Sequence, residues 1–104
     1  MEKVCDLHCH SIFSDGSWTP EQLVEEGVRI GLSALALTDH NTVAGLPRFL
    51  AAAEGKPIDA VPGCEFSTEY QGTELHILGL MIRPEHYGPI NDLLADFLRK
   101  YSSF

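Results

Sequence analysis

The sequence predicts an α/β fold in which strands and helices follow one another in the order βαβαββα. Three observations indicate this order. Apolar runs of strand length alternate with segments of helical spacing, Thr19-Pro20 is a helix start signal, and Gln71-Gly72-Thr73 is a turn signal between two strands. Strands that alternate with helices are typical of a mainly parallel sheet or of a barrel.

Seven elements follow from the apolar pattern and from the positions of Gly and Pro. The first helix has Thr19 as N-cap, Pro20 at its first position, Gln22 three residues after the cap and Gly31 at its end. In chain order the predicted elements are a strand over 3–10, that helix, a strand over 32–38, a helix over 43–53, a strand over 58–70, a strand over 75–82 and a helix over 89–100. The last helix is expected to bury Ile90, Leu93, Leu94, Phe97 and Leu98.

Composition and charge narrow the function classes. The net charge of −8 over 104 residues argues against a protein that binds nucleic acid through a broad basic surface. A nucleotide held through metal ions stays compatible with this charge, because bound ions add positive charge locally. No apolar run reaches the roughly 18 residues of a membrane span, and the N-terminus lacks the pattern of a signal peptide, so a cytoplasmic location is expected.

Three of the five histidines lie in two short segments that indicate metal binding. Since strand side chains alternate between faces, His8 and His10 share one face at the end of the first strand. His40 ends the second strand and Glu65 falls late in the third, while Asp15 lies in the loop after the first. Sites in α/β folds form beyond these strand ends. Imidazoles with carboxylates suit Zn, Mn or Fe.

His76 is a further candidate ligand although it opens the fourth strand. A hairpin turn centred on Gln71-Gly72 places His76 opposite Ser67 and therefore near Glu65, whereas a register one residue away turns it from the site. For each single histidine the alternative is a hydrogen-bonded residue of the core. For Asp15, which precedes a glycine, the alternative is a turn residue.

Two further carboxylates adjoin the histidines. Asp6 shares the face of His8 and is expected to accept a hydrogen bond from a ligand imidazole, and Asp39 is expected to orient His40 or to transfer a proton. Cys5, Cys9 and Cys64 are expected to point away from the site and to pack as small apolar residues, because no Cys-x-x-Cys pair favours a zinc thiolate. His86 is expected on the surface and Met81 in the core.

Four segments, in this order, resemble the motifs of the PHP (polymerase and histidinol phosphatase) family: Asp6-Leu7-His8-Cys9-His10 with Ser14-Asp15-Gly16, Leu37-Thr38-Asp39-His40-Asn41, Pro62-Gly63-Cys64-Glu65 and His76-Ile77-Leu78-Gly79. The resemblance implies a distorted (β/α)7 TIM-like barrel with up to three divalent ions at the C-terminal ends of its strands. It implies that His8, His10 and Glu65 hold one ion, that Glu65 bridges to a second ion bound by His76, and that Asp15 and His40 hold the third.

The resemblance covers the N-terminal portion of one such domain. The family pattern continues with another histidine and an Asp-x-His pair, which no residue after His76 matches, and a barrel needs about 250 residues. Residues 1–104 are therefore expected to be incomplete, and a C-terminal half or an oligomer partner is expected to supply the missing wall. Without that wall, the inner face of the second strand is expected to form part of a large exposed apolar patch.

The predicted function is that of a metal-dependent phosphoesterase, a hydrolase. With an aspartate at position 15, the sequence resembles the small family members that act on nucleotides and short oligonucleotides. A metal-activated hydroxide is the expected nucleophile. Activity is predicted for the parent domain and not for these residues alone. Two alternatives stay open: a non-catalytic PHP-like module of a larger polymerase or assembly, and a structural metal-binding domain.

Overall fold

A computed structural model describes the backbone of residues 4–101, with the side chains of all but Tyr70 and residues 97–101. The elements are β1 (Cys5–Cys9), α1 (Pro20–Ile30), β2 (Ala34–Leu37), α2 (Leu46–Ala53), β3 (Asp59–Tyr70), β4 (Thr73–Leu80), a 3-10 turn (Pro84–His86) and α3 (Tyr87–Tyr101). The predicted order of strands and helices is thus observed. Lys3 of the first predicted strand and the side chains of Phe97 and Leu98 lie outside the described residues.

The four strands form one sheet in the order β1-β2-β3-β4. The first three are parallel, and β3 and β4 form an antiparallel hairpin, so the protein is a mixed α/β fold with a curled half-barrel sheet. The register between β1 and β2 is irregular between Asp6 and Cys9. The C-terminal ends of β1 and β2 and the middle of β3 therefore meet at one side of the sheet.

The ends of the helices follow from capping residues. The Thr19 hydroxyl accepts a hydrogen bond from the Gln22 amide and the Gln22 side chain accepts one from the Thr19 amide, which is the predicted capping box. Helix α2 begins at Leu46 rather than at the predicted Val43. Since Pro47 fits the first turn of a helix, the helix begins just before it.

The hairpin turn has the predicted position and register. Gln71 and Gly72 have φ values of 52° and 80°, the left-handed conformation of a two-residue hairpin turn. Ser67 is paired with His76, as predicted. Glu65 and His76 therefore lie on the same face, two pairs apart along the ladder.

The core lies between the sheet and helices α1 and α2. Leu35, Ala36 and Leu37 are at most 4% exposed, so β2 is buried on both faces, and Phe49 of α2 is fully buried against it. The prediction of an uncovered inner face on β2 is therefore wrong, because neighbouring elements already cover this short strand. Met81 was also expected in the core, yet it is 69% exposed.

Exposed apolar side chains concentrate on the two edge strands instead. Leu7 of β1 is exposed, and β4 exposes apolar residues on both of its faces, namely Leu75, Ile77, Leu78 and Leu80. In α3, Leu94 is buried and Leu93 is exposed. Among the described residues, no helix is both long and apolar enough to cross a membrane.

Candidate metal centre

Glu65 is the centre of the candidate site. It lies in β3, is only 6% exposed, and directs its two oxygens at different histidines. Its Oε1 atom lies 2.7 Å from Nε2 of His8 and 3.1 Å from Nε2 of His10, and Oε2 lies 2.8 Å from Nδ1 of His76. One carboxylate thus joins side chains from both ends of the sheet.

The histidines determine the electrostatics of this carboxylate. Burial raises the pKa of Glu65, but hydrogen bonds with His8 and His76 and the charges of His40 and His8 outweigh it, so the pKa lies below its ordinary value. The hydrogen bond to Glu65 is the largest of the interactions that raise the pKa of His76. The site therefore favours an ionised Glu65, which is the form that binds a metal ion.

The loop after β1 adds Asp15 to the cluster. Its Oδ1 atom lies 3.0 Å from Nδ1 of His10 and its Oδ2 atom 3.2 Å from Nε2 of His40. The loop closes where the Gly16 amide donates a hydrogen bond of 2.9 Å to the Ser11 carbonyl. This turn directs Asp15 back over His10.

Main-chain pairing between the end of β2 and β3 places His40. An isolated parallel bridge joins His40 to Glu65, and the Asn41 amide donates a hydrogen bond of 3.0 Å to the Glu65 carbonyl. The Asn41 side chain binds both the amide and the hydroxyl of Ser67, at 2.8 and 3.0 Å. We call these two hydrogen bonds between Asn41 and Ser67 the Asn41 clamp. Sequence reasoning missed it, although an Asn directly after the candidate ligand His40 at the end of a strand was a usable signal.

Asp39 is buried and organises the loop after β1. Its carboxylate accepts hydrogen bonds from the Ser11 amide, the Ser11 hydroxyl and the Ser14 hydroxyl. Both of its oxygens are therefore engaged by the segment that holds His10 and Asp15. Asp6 accepts a hydrogen bond of 3.1 Å from the backbone amide of His8, rather than the imidazole hydrogen bond that was expected of it.

The six predicted ligands form three overlapping groups whose donor atoms lie within 4.8 Å of one another: His8, His10 and Glu65; His10, Asp15 and His40; and His40, Glu65 and His76. Two donors at ordinary bonding distance from one ion lie roughly 3 Å apart. The Glu65 carboxylate lies 2.7 and 3.1 Å from the His8 and His10 nitrogens, and the Asp15 carboxylate 3.0 and 3.2 Å from those of His10 and His40, which matches this spacing. Nδ1 of His10 is buried and, although Asp15 is near, has no hydrogen-bond partner among the described residues. A buried ring nitrogen without a hydrogen-bond partner is available to bind a metal ion. The residues present therefore fit divalent ions.

The cysteines and His86 lie outside these groups. The Cys9 thiol donates a hydrogen bond to the Ala36 carbonyl, and burial raises its pKa to about 12. Burial likewise raises the pKa of the fully buried Cys64 to about 11, so both thiols pack as small apolar side chains. Cys5 is exposed, and the expectation that it packs is wrong because β1 is an edge strand. His86 is exposed, as expected.

Comparison with known proteins identifies the family. The family model of the PHP domain matches residues 6–101 of this chain. A 5′-3′ exoribonuclease of Haemophilus influenzae is 42% identical over 86 residues, which cover 83% of this chain and 31% of that protein. An error-prone DNA polymerase of Mycobacterium bovis is 43% identical over 99 residues, which cover 86% of this chain and 9% of the polymerase.

A solved structure shares the fold. A Bifidobacterium adolescentis protein described as a metal-dependent phosphoesterase superposes with a TM-score of 0.81 at 32% identity, over 90% of this chain and 32% of the other. The chain thus spans about a third of the exoribonuclease and of this neighbour. Because the family match extends over nearly all of its residues, including every side chain of the histidine–carboxylate cluster, this chain belongs to the PHP domain family.

Proposed function

We propose that this chain is the metal-binding portion of a metal-dependent phosphoesterase that hydrolyses nucleotides or short oligonucleotides. The observation that carries the proposal is the buried Glu65 carboxylate within three overlapping groups of His and carboxylate donors. The exoribonuclease relative and the phosphoesterase neighbour support the reaction class. Mn, Zn or Fe ions, up to three in a complete domain, are the proposed cofactors.

In this proposal, the six candidate ligands of the chain bind the metal cofactors. His8, His10 and Glu65 would hold one ion, Glu65 and His76 would hold a second, and Asp15 and His40 would hold the third. Bound divalent ions supply Lewis-acid activation of water and of the phosphoryl group. In a chain of net charge −8, an anionic substrate is attracted by such ions rather than by the protein surface.

Asp39 and Asp6 position other groups in this proposal. Asp39 was predicted to orient His40 or to transfer a proton, but hydrogen bonds from Ser11 and Ser14 engage both of its oxygens, so we propose that it orients the loop after β1. Asp39 thereby holds the loop that carries Asp15. Asp6 holds the irregular end of β1 through the His8 amide.

We propose further that these residues are the N-terminal portion of a cytoplasmic (β/α)7 barrel. The share of the relatives' length that the chain spans supports this, as do the apolar side chains exposed on both faces of β4. A C-terminal portion, or a partner in an assembly, would supply the remaining strands. Activity is accordingly proposed for the parent domain.

A second candidate is a PHP module within a larger polymerase, where the domain serves structure or assembly. The match to 9% of an error-prone DNA polymerase favours it. A purely structural metal site is the third reading. Metal content alone does not separate these candidates, so the test needs an activity measurement as well.

The first measurement is metal content. We expect protein purified without chelator to contain Mn, Zn or Fe by elemental analysis, and a variant with His8→Ala and His10→Ala to lose most of it. The control is His86→Ala, which removes an exposed histidine outside the cluster. Equal metal content in the double variant and the wild type would refute the metal centre.

The second measurement is hydrolysis by the parent protein that contains this chain. Nucleotides and short RNA should be hydrolysed with added Mn, and a chelator should stop the reaction. Glu65→Gln should cost more than the roughly 10- to 100-fold that follows loss of an outer partner of a metal ligand. Activity that survives chelation contradicts the metal mechanism, whereas metal binding without hydrolysis supports the module or structural reading.

A further inference from the structure

His76 contacts a second carboxylate besides Glu65. Its Nδ1 atom lies 2.8 Å from Glu65, towards the cluster, and its Nε2 atom lies 3.2 Å from Oε1 of Glu74. Glu74 precedes His76 by two residues in β4, so both side chains lie on the same face of the strand. The imidazole is thus held at both nitrogens.

We propose that Glu74 is a positioning residue that directs Nδ1 of His76 at the metal centre. A neutral imidazole has one N–H donor and one acceptor nitrogen. A carboxylate beside Nε2 accepts a hydrogen bond from Nε2–H, so Nδ1, on the Glu65 side of the ring, is the nitrogen that is free to lose its proton and bind an ion. The inference rests on the proposed metal centre, because without an ion the ionised Glu65 carboxylate accepts a hydrogen bond from Nδ1 as well.

The exposure of His76 explains why it needs such support. Its side chain is 43% exposed, whereas that of His10 is 18% exposed and is held by the surrounding loop. An exposed imidazole on an edge strand has few packing contacts to fix its ring. The Glu74 hydrogen bond restricts the rotation that would turn Nδ1 away from the cluster.

The strand pairing also provides a control. Glu69 in β3 is directly opposite Glu74 on the same face. Two carboxylates in this arrangement repel each other, so removal of either one changes the local charge by the same amount. Of these two carboxylates, Glu74 contacts His76 and Glu69 does not, within the described residues. Glu69→Ala therefore separates a charge effect from an orienting effect.

The test compares the wild type with Glu74→Ala, Glu74→Gln and Glu69→Ala in two measurements. Nitrogen-15 NMR of the zinc-loaded proteins reports which ring nitrogen of His76 carries the proton. Calorimetry with Mn reports affinity. We expect the Nε2–H form alone in the wild type, a mixture of both forms in Glu74→Ala with roughly 10- to 100-fold weaker binding of one ion, and partial rescue in Glu74→Gln, whose amide oxygen still accepts the N–H.

Glu69→Ala should keep the wild-type tautomer and affinity. An unchanged tautomer in Glu74→Ala, or an equal loss of affinity in Glu69→Ala, would overturn the inference. Failure of the wild type to bind any Mn, Zn or Fe would overturn the proposed metal centre and the inference with it, whereas a wild type that binds Mn with the same affinity as Glu74→Ala would overturn the inference alone. Circular dichroism of each variant confirms that the fold is retained.

Discussion

At the scale of single residues, Gly16 shows how a position without a side chain shapes the site. A Cβ atom there would lie 2.3 Å from the carbonyl oxygen of His10, which is backbone and cannot move aside without shifting this candidate metal ligand. The Gly16 amide also closes the turn that brings Asp15 to His10. Both ligands therefore depend on the close approach of two backbone segments.

We predict that Gly16→Ala lowers the free energy of unfolding by about 1–3 kcal/mol, as overpacking does, and reduces metal content. Gly88→Ala is the control, because nothing lies within 4 Å of its Cβ position and the substitution favours the helix α3. Thermal denaturation and elemental analysis measure both effects. A Gly16→Ala variant with wild-type stability and metal content would show that the loop accommodates a side chain.

The contacts that sequence reasoning missed share one property. Asp39 was expected to act on its neighbour His40, but its hydrogen bonds run to Ser11 and Ser14, which are 28 and 25 positions away in the chain. Asn41 likewise binds Ser67, 26 positions away. Such contacts depend on how the loops cross above the sheet, and the local pattern of side chains does not encode this crossing.

At the scale of elements, the Asn41 clamp joins the end of β2 to β3. Asn41 has a φ of 53°, a left-handed conformation that Asn adopts more readily than most residues, and its side chain makes two hydrogen bonds to Ser67. Because His40 precedes the clamp and His76 is paired with Ser67, the clamp fixes the distance between two ligands.

A double-mutant cycle tests this clamp. Asn41→Ala and Ser67→Ala should each destabilise the protein, and their effects should be non-additive by about 1 kcal/mol in chemical denaturation. Thr42→Ala with Ser67→Ala is the matched control, because the Thr42 hydroxyl accepts a hydrogen bond from Ala44 instead. Additive effects in the Asn41 cycle would mean that the two hydrogen bonds contribute no coupling.

The elements themselves were largely predictable from local signals. The capping box of α1, the order of strands and helices along the chain and the hairpin register all follow from residues close together in the chain, and all are observed. The start of α2 was misplaced because the apolar pattern continues into the preceding turn, where Gly45 and Pro47 determine the boundary. The six candidate ligands were identified from their positions at strand ends, and the structure brings them together.

At the scale of the whole molecule, the sheet has two free edges and an uncovered apolar surface. Behind the hairpin, a groove of about 260 Å³ lies among Phe66, Ser67, Thr68, Ile77, Leu93 and Leu94. Ile77 and Leu93 are 54% and 59% exposed. Exposed apolar surface of this kind marks an interface or promotes aggregation, so the isolated chain should associate with itself.

We predict that this chain alone binds a dye that fluoresces on apolar surfaces and elutes as more than a monomer in size-exclusion chromatography with light scattering. Ile77→Thr with Leu93→Gln should reduce both signals. Ile30→Gln, at a residue of α1 that is 55% exposed, should change neither. A monomer without dye binding would show that the described surface is stable in water as it stands.

The position of the metal centre in the chain has a consequence for biosynthesis. All six donor residues lie between His8 and His76, before the first residue of α3. Since a ribosome makes the chain from its N-terminus, these six residues have been synthesised while α3 is still unmade. An ion that binds them stabilises the folded state, so metal supply can act on the folding of this segment and not only on the finished site.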